Sequence, residues 1–208
     1  MTIDRPGGWM ADGSVRTDGN GHNSAAANSV GSRVFVFGAS GCGKTRFAKQ
    51  LAERLSVPHV ELDSLLWGPA WTMRDDAAYL AATAAVVPEP GWVIEGTFRP
   101  DVAHTVWPHA DTVVWLDFRF TLVAARLLRR TIRRAVTRER LWHGNVEPLR
   151  DLVGRGSLLA WLWQSYPKIP GEVSEFEAEM VSPTAVFHRF TTPKEAKKWL
   201  RNVRGETA

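Results

Sequence analysis

Val34-Phe35-Val36-Phe37-Gly38-Ala39-Ser40-Gly41-Cys42-Gly43-Lys44-Thr45 is the stretch from which the rest of the chain is read. Four apolar β-formers run into a glycine cluster, as a strand buried on both faces does. From Lys44 to Leu55 the apolar spacing becomes helical. Between them, Gly38 to Thr45 match G-x-x-x-x-G-K-[ST] in the strand–turn–helix context that gives this pattern its meaning. Glycines let main-chain amides converge on phosphate oxygens, and the helix start adds a favourable dipole. Lys44 is long enough to reach the outer phosphates, and the Thr45 hydroxyl can ligate magnesium. Gly38, Ala39, Ser40, Gly41, Cys42, Gly43, Lys44 and Thr45 are therefore the expected cradle of a nucleoside triphosphate, with Lys44 also catalytic. The bland reading is an accidental glycine-rich turn, which average composition produces in roughly one chain in a hundred before the context is demanded.

Working outward, Val57 to Leu62 reads as a second strand, and Thr72 with Asp75 as a capping box opening a helix to about Val87, ended by Pro88 and Pro90. Trp92-Val93-Ile94 and Thr112 to Leu116 are buried-strand runs, and Thr121–Val136 and Leu158–Trp163 are helical. A last strand is expected over Ala185–Phe190 and a last helix over Lys194–Val203. Alternation of five strands with helices predicts an α/β layer fold with a mainly parallel sheet. Residues 1–31 are rich in Gly, Asn, Ser and Ala without apolar periodicity, so a disordered tail is expected, with a docking peptide as the functional alternative. The folded domain is expected over 32–205 and a lid over about 137–150, where Leu141-Trp142 and Gly144-Asn145 stand between helices.

The length of 208 residues suits one domain plus an extension, and 44% hydrophobic residues suffice for a core. A lone cysteine, Cys42, excludes an internal disulfide or a cysteine-built zinc site and favours a reducing compartment. With no signal-like start and no membrane-length apolar run, a cytoplasmic location without membrane contact is expected. Cys42 stands at a helix start beside Lys44, where thiols become more acidic, so an oxidation switch stands beside the plainer role of small filler.

Asp63 follows the second strand at the edge where open parallel sheets bind ligands, so it is expected to orient or deprotonate an acceptor hydroxyl; the bland role is a helix cap. Glu95 ends the third strand, where a carboxylate would act on magnesium through water. Trp67 and Trp71 flank a Gly-Pro turn and are expected to wall an acceptor pocket, with core packing as the alternative. His143 has the lesser expectation of a proton carrier, and His104, His109 and His188 lack metal-ligand spacing.

Val93-Ile94-Glu95-Gly96-Thr97-Phe98-Arg99-Pro100 resembles the strand-end segment of adenylate kinases, with glutamate where they carry aspartate, and the likeness runs from about Val34 to Leu200. Glu61-Leu62-Asp63, Trp67-Gly68-Pro69-Ala70-Trp71, Trp107-Pro108 and Leu141-Trp142-His143-Gly144-Asn145 resemble a bacterial family of small adenylate-kinase-like P-loop proteins. Some of its members are labelled DNA topology modulation proteins and others adenylate kinases. The resemblance implies a P-loop NTPase sheet of the nucleoside- and shikimate-kinase-like type with a helical lid insertion, ATP with Mg2+ as ligands, and Arg99 as a substrate-binding residue. It leaves the acceptor open.

Net charge is +4, and Arg126, Arg129, Arg130, Arg133, Arg134, Arg138 and Arg140 stand against Glu139 alone. On a helical wheel Arg126, Arg130 and Arg133 form a cationic face, and Ala124, Leu128, Ile132 and Ala135 are expected to be the core side. The resemblance implies catalytic roles for Arg126 and Arg130 at the transferring phosphoryl. The surplus arginines suit a solvated face or an acidic partner, nucleic acid included. The expectation is thus an ATP-dependent phosphotransferase acting on a small unidentified acceptor. The alternative is an ATP-binding, nucleic-acid-associated regulator with little kinase activity.

Overall fold

A computed structural model describes residues 30–148, 157–179 and 185–203, so most of the expected tail and the far end of the expected lid lie outside the described residues. Five strands form one sheet in the order β2-β3-β1-β4-β5: β1 Arg33–Gly38, β2 His59–Glu61, β3 Trp92–Gly96, β4 Thr112–Leu116 and β5 Val186–Phe190. Every pairing is parallel. The three central strands are continuous apolar runs because helices cover both faces, which is why they read so clearly in the sequence. The helices are α1 Lys44–Leu55, α2 Leu62–Leu66, α3 Asp76–Ala84, α4 Pro100–Val106, α5 Phe120–Thr137, α6 Leu158–Ser165, α7 Ile169–Glu179 and α8 Pro193–Asn202. This is the expected mainly parallel five-stranded α/β architecture, and α2, α4 and α7 are additions to the sequence reading.

Several local expectations are corrected. Strand β2 is only three residues long, because Leu62 already starts α2. Thr72 and Asp75 do not make a capping box: Asp75 alone caps α3 by accepting from Ala78 N at 2.8 Å, while the Thr72 hydroxyl donates to Pro69 O inside the preceding turn. The reciprocal box forms at Thr192 and Glu195 of α8 instead. Val30, which falls within the expected tail, is 3% exposed and packs in the core. The stretch 138–148 is a turn closed by the Arg140↔Val146 bridge, with one 3-10 turn at Trp142–Gly144, rather than a helical insertion over its described length.

The wheel for α5 was rotated. Val123, Leu127 and Thr131 are fully buried, whereas Leu128 and Ile132 are 39% and 43% exposed. The cause is the turn at Gly38–Gly43. Arg126 and Arg130 reach that turn, and in the column next to them Val123 and Leu127 close on Gly41, so the 128-132 column is carried outward.

Strand β5 carries a second consequence of burial. His188 lies among Phe190 and Trp199, with ring centroids 6.0 and 5.0 Å away, and loss of solvation pushes its pKa down to about 4. Between about pH 6.5 and 4 the unfolded chain takes up a proton that the folded one refuses, so stability falls with falling pH in that window. His188→Phe should remove the loss, narrowing the stability difference between pH 7 and pH 4.5 by about 2 kcal/mol after discounting for partial exposure. Urea titrations at the two pH values measure it, and equal pH slopes for both proteins would contradict it.

Candidate active site

The carboxyl ends of β1, β2 and β3, the first turns of α1 and α2, and one face of α5 converge at a single edge of the sheet, the edge where open parallel sheets bind ligands. The turn from Gly38 to Gly43 leads from β1 into α1. Gly41 and Gly43 have φ of 95° and 98°, a region costly for any side chain, and a Cβ on Gly41 would stand 2.7 Å from Val123 O. Close approach of α5 to the turn thus requires glycine at 41. The N-cap of α1 is Gly43 with no side-chain cap, and its first turn holds no acid, so the helix start presents its free amides and positive dipole end to the space above.

Lys44 is 6% exposed. Burial works against its charge, but Glu95 and then Cys42 and Asp63 outweigh it, and its pKa is raised. Thr45 Oγ1 donates to Glu95 Oε1 at 2.7 Å, while Glu95 Oε2 is buried with no partner among the described residues. Burial, only partly offset by Lys44 and Thr45, pushes the Glu95 carboxyl up to about 7. A hydroxyl and a carboxylate in contact, with a second oxygen unused beside them, are a fitting donor set for a hard divalent cation such as Mg2+.

Arg126 donates to Cys42 O at 2.9 Å, and Arg130 reaches Ser40 Oγ at 3.4 Å, so both guanidiniums lie against the turn. Burial, then the neighbouring Arg134 charge, lowers the Arg130 pKa, and its Nε is buried without a partner among the described residues. A half-committed buried cation of this kind favours an anion beside it. Asp63 is half-buried in the first turn of α2. It is not the N-cap, which is Glu61, and its charge acts on Lys44, Glu95, Tyr79 and Arg130. Cys42 departs from the redox reading: it is 1% exposed, and burial raises its thiol pKa, which suits a small filler.

Arg99 is held by acids of two helices and lines a cavity at this edge. Its guanidinium binds Asp76 at 2.9 Å and Asp101 at 2.6 Å and lies over Tyr79, tying α3 to α4. Two further basic side chains of α5 find acids: Arg133 meets Glu139, and Arg134 meets Glu139 and Glu147.

Trp67 and Trp71 pack edge to face at 5.6 Å, and Trp142 continues the wall at 6.3 Å from Trp71. Two bridge-closed turns, Trp67↔Met73 and Arg140↔Val146, dock through Asn145, whose side chain accepts from Trp71 N and donates to Gly68 O. Trp71 Nε1 donates to Val146 O, and Trp142 Nε1 donates to Glu61 Oε2 at 2.8 Å. Behind them, Glu147 accepts from Thr131 of α5. Asn145, Glu61 and Glu147 carried no role in the sequence reading; the one hint was that Glu61 and Asn145 fall in the segments that carry the family resemblance. Asn145→Ala should free both turns: amide hydrogen exchange at 67–73 and 140–146 rises about tenfold or more, for roughly 1.4 kcal/mol lost, while β1 and β3 stay protected. Unchanged exchange in these turns would contradict the docking.

Two cavities open at the same edge. One of about 670 Å3 is lined by Asp117, Arg119, Leu122, Tyr166, Thr191 and Pro193, and one of about 320 Å3 by Arg99, Trp161, Gln164, Lys168 and Glu172 among others.

This arrangement defines a parallel five-stranded α/β fold with a P-loop turn between its first strand and first helix. Shikimate kinase from Bacteroides thetaiotaomicron superposes with a TM-score of 0.52 at 16% identity, covering 81% of this chain and 94% of that one. A shikimate kinase from Acinetobacter baumannii in complex with shikimate gives 0.48 at 14% identity, covering 85% and 94%. A gluconokinase from Sinorhizobium meliloti 1021 gives 0.47 at 19% identity, covering 82% and 88%. The likeness to the first is one of fold, and the two weaker overlaps add nothing to it. No protein-family model and no curated protein matches the sequence, so the adenylate-kinase-like family suggested by the motifs is not established. Among the described residues no helix is long and apolar enough to cross a membrane.

Proposed function

We propose that the chain is an ATP-dependent phosphotransferase that moves the terminal phosphate of Mg-ATP onto a small acceptor. The observation that carries this reading is the Thr45–Glu95 contact beside a buried, protonated Lys44, under a turn that two arginines touch. Gly38 to Thr45 hold the phosphates through main-chain amides. Thr45 and Glu95 would hold Mg2+, Glu95 through water, and the ion would supply charge neutralisation at the outer phosphates. Lys44, Arg126 and Arg130 stabilise charge spread over the transferring group, which in this chemistry supplies most of the rate. Asp63 receives or orients the acceptor hydroxyl, and Trp67, Trp71 and Trp142 exclude water beside it. Arg99, engaged by two aspartates, contributes to the acceptor side by holding α3 against α4.

The test is incubation of the purified protein with labelled ATP and metabolite mixtures. The expected result is ADP formed in proportion to one phosphorylated small product. ATP-dependent nucleic-acid binding without any such product, with log affinity falling linearly with log salt, would replace this reading by the regulator. The internal pairing of Arg133 and Arg134 weighs against that outcome, since paired guanidiniums are less free to neutralise a phosphate backbone.

A further inference from the structure

His59 and Glu61 are alternate residues of β2, so both project from the same face of the sheet. Register pairs Glu61 with Glu95 on β3, which brings a second carboxylate beside the first. One ligand atom from each of His59, Glu61 and Glu95 lies within 4.8 Å of the others, and among the described residues no other three side chains of this kind gather so closely. Two of the three leave a polar atom buried and unused: among the described residues His59 Nε2 and Glu95 Oε2 have no hydrogen-bond partner, and Glu95 is 3% exposed. Unpaired buried polar atoms are costly and call for an explanation. The third, Glu61, has one oxygen fixed by Trp142 Nε1, the kind of outer bond that orients a ligating carboxylate.

We propose that His59, Glu61 and Glu95 bind one divalent first-row transition-metal ion through an imidazole nitrogen and two carboxylates. Bonds of about 2.1 Å hold neighbouring ligand atoms roughly 3–4 Å apart, so rotamer adjustments of about 1 Å close the group onto an ion. The imidazole distinguishes this site from the oxygen-only donor set at Thr45: nitrogen with carboxylates suits Mn2+, Fe2+ or Zn2+, whereas Mg2+ prefers oxygen throughout. Glu95 belongs to both donor sets, Oε1 facing Thr45 and Oε2 unused, so an ion held by His59 takes up a carboxylate that the nucleotide's cation also needs. Because Glu61 also holds Trp142, the same ion stiffens the contact between β2 and the 140–146 turn. Binding requires no nucleotide and does not rest on the phosphotransferase reading.

The experiment titrates Mn2+ alone into the full-length, nucleotide-free protein by electron paramagnetic resonance, with pulsed detection of nitrogen coupling. One bound Mn2+ with an imidazole nitrogen coupling is expected. His59→Gln should remove that coupling and weaken Mn2+ binding at least tenfold. Glu61→Gln, which still accepts from Trp142 Nε1, should weaken binding to a similar degree while retaining the nitrogen signal at saturating Mn2+. Absence of nitrogen coupling in the unmodified protein overturns the proposal whatever the variants do. So does a folded His59→Gln protein that keeps both the coupling and the affinity.

Discussion

Lys44→Met should lower kcat/KM for phosphoryl transfer by at least a thousandfold, about 4 kcal/mol of transition-state stabilisation. The methionine keeps the stem length and apolar packing, so what is lost is the ammonium. That charge is buried, 6% exposed, and lies among Glu95, Asp63 and the backbone of the phosphate turn, where water screens it little. A second loss compounds the first. Lys44 is the strongest influence holding the Glu95 pKa down against burial, so without it the carboxyl is pushed up further and gives up its proton to a cation less readily. Single-turnover assays on protein of unchanged thermal midpoint measure the effect. A variant that kept more than a tenth of the transfer rate would remove Lys44 from the chemistry and, with it, the proposed role of the turn.

Phe37→Ala is expected to have the largest effect on stability, about 3–5 kcal/mol. Phe37 is the last apolar residue of the central strand, fully buried, with its ring near five others: Phe35 at 5.6 Å, Phe98 at 5.0 Å, Trp107 at 6.1 Å, Trp115 at 5.8 Å and Phe187 at 6.5 Å. Truncation removes contacts on both sides of β1 at once and leaves a void that rigid rings close poorly. In a domain of this size the loss corresponds to a fall in Tm of roughly 6–20 °C. Trp163→Ala serves as the contrast: Trp163 is 68% exposed, and its removal should cost no more than about 0.5 kcal/mol. Guanidinium titrations followed by tryptophan fluorescence separate the two. A Phe37→Ala loss below about 1 kcal/mol would mean that the aromatic cluster does not carry the core.

The cradle was legible because its information is contiguous. Eight neighbouring residues contain both the turn geometry and the chemistry, and the strand before them and helix after them are local patterns too. The central strands were readable for a related reason: burial on both faces leaves an unbroken apolar run that no surface helix imitates. Asp63, Glu95, Arg126 and Arg130 could be nominated from their positions at element ends or on one helix face, and the fold brings all four to one edge.

The α5 core face, by contrast, could not be read from a wheel on which arginines and aliphatic residues interleave, because 123-127-131 and 124-128-132 are equally good stripes. Only docking against the glycine turn chose between them. The strap from Trp71 to Asn145, the bond from Trp142 to Glu61 and the gathering of His59 with Glu61 and Glu95 were likewise invisible, since their partners lie 34 to 81 residues apart and meet through strand register and loop docking. By itself, then, the sequence determined the strand–turn–helix around the glycine turn and the parallel architecture that surrounds it. The tertiary structure alone decided which charges remain unpaired and which close on one another, because burial and pairing are properties of neighbours in space rather than of neighbours in the chain.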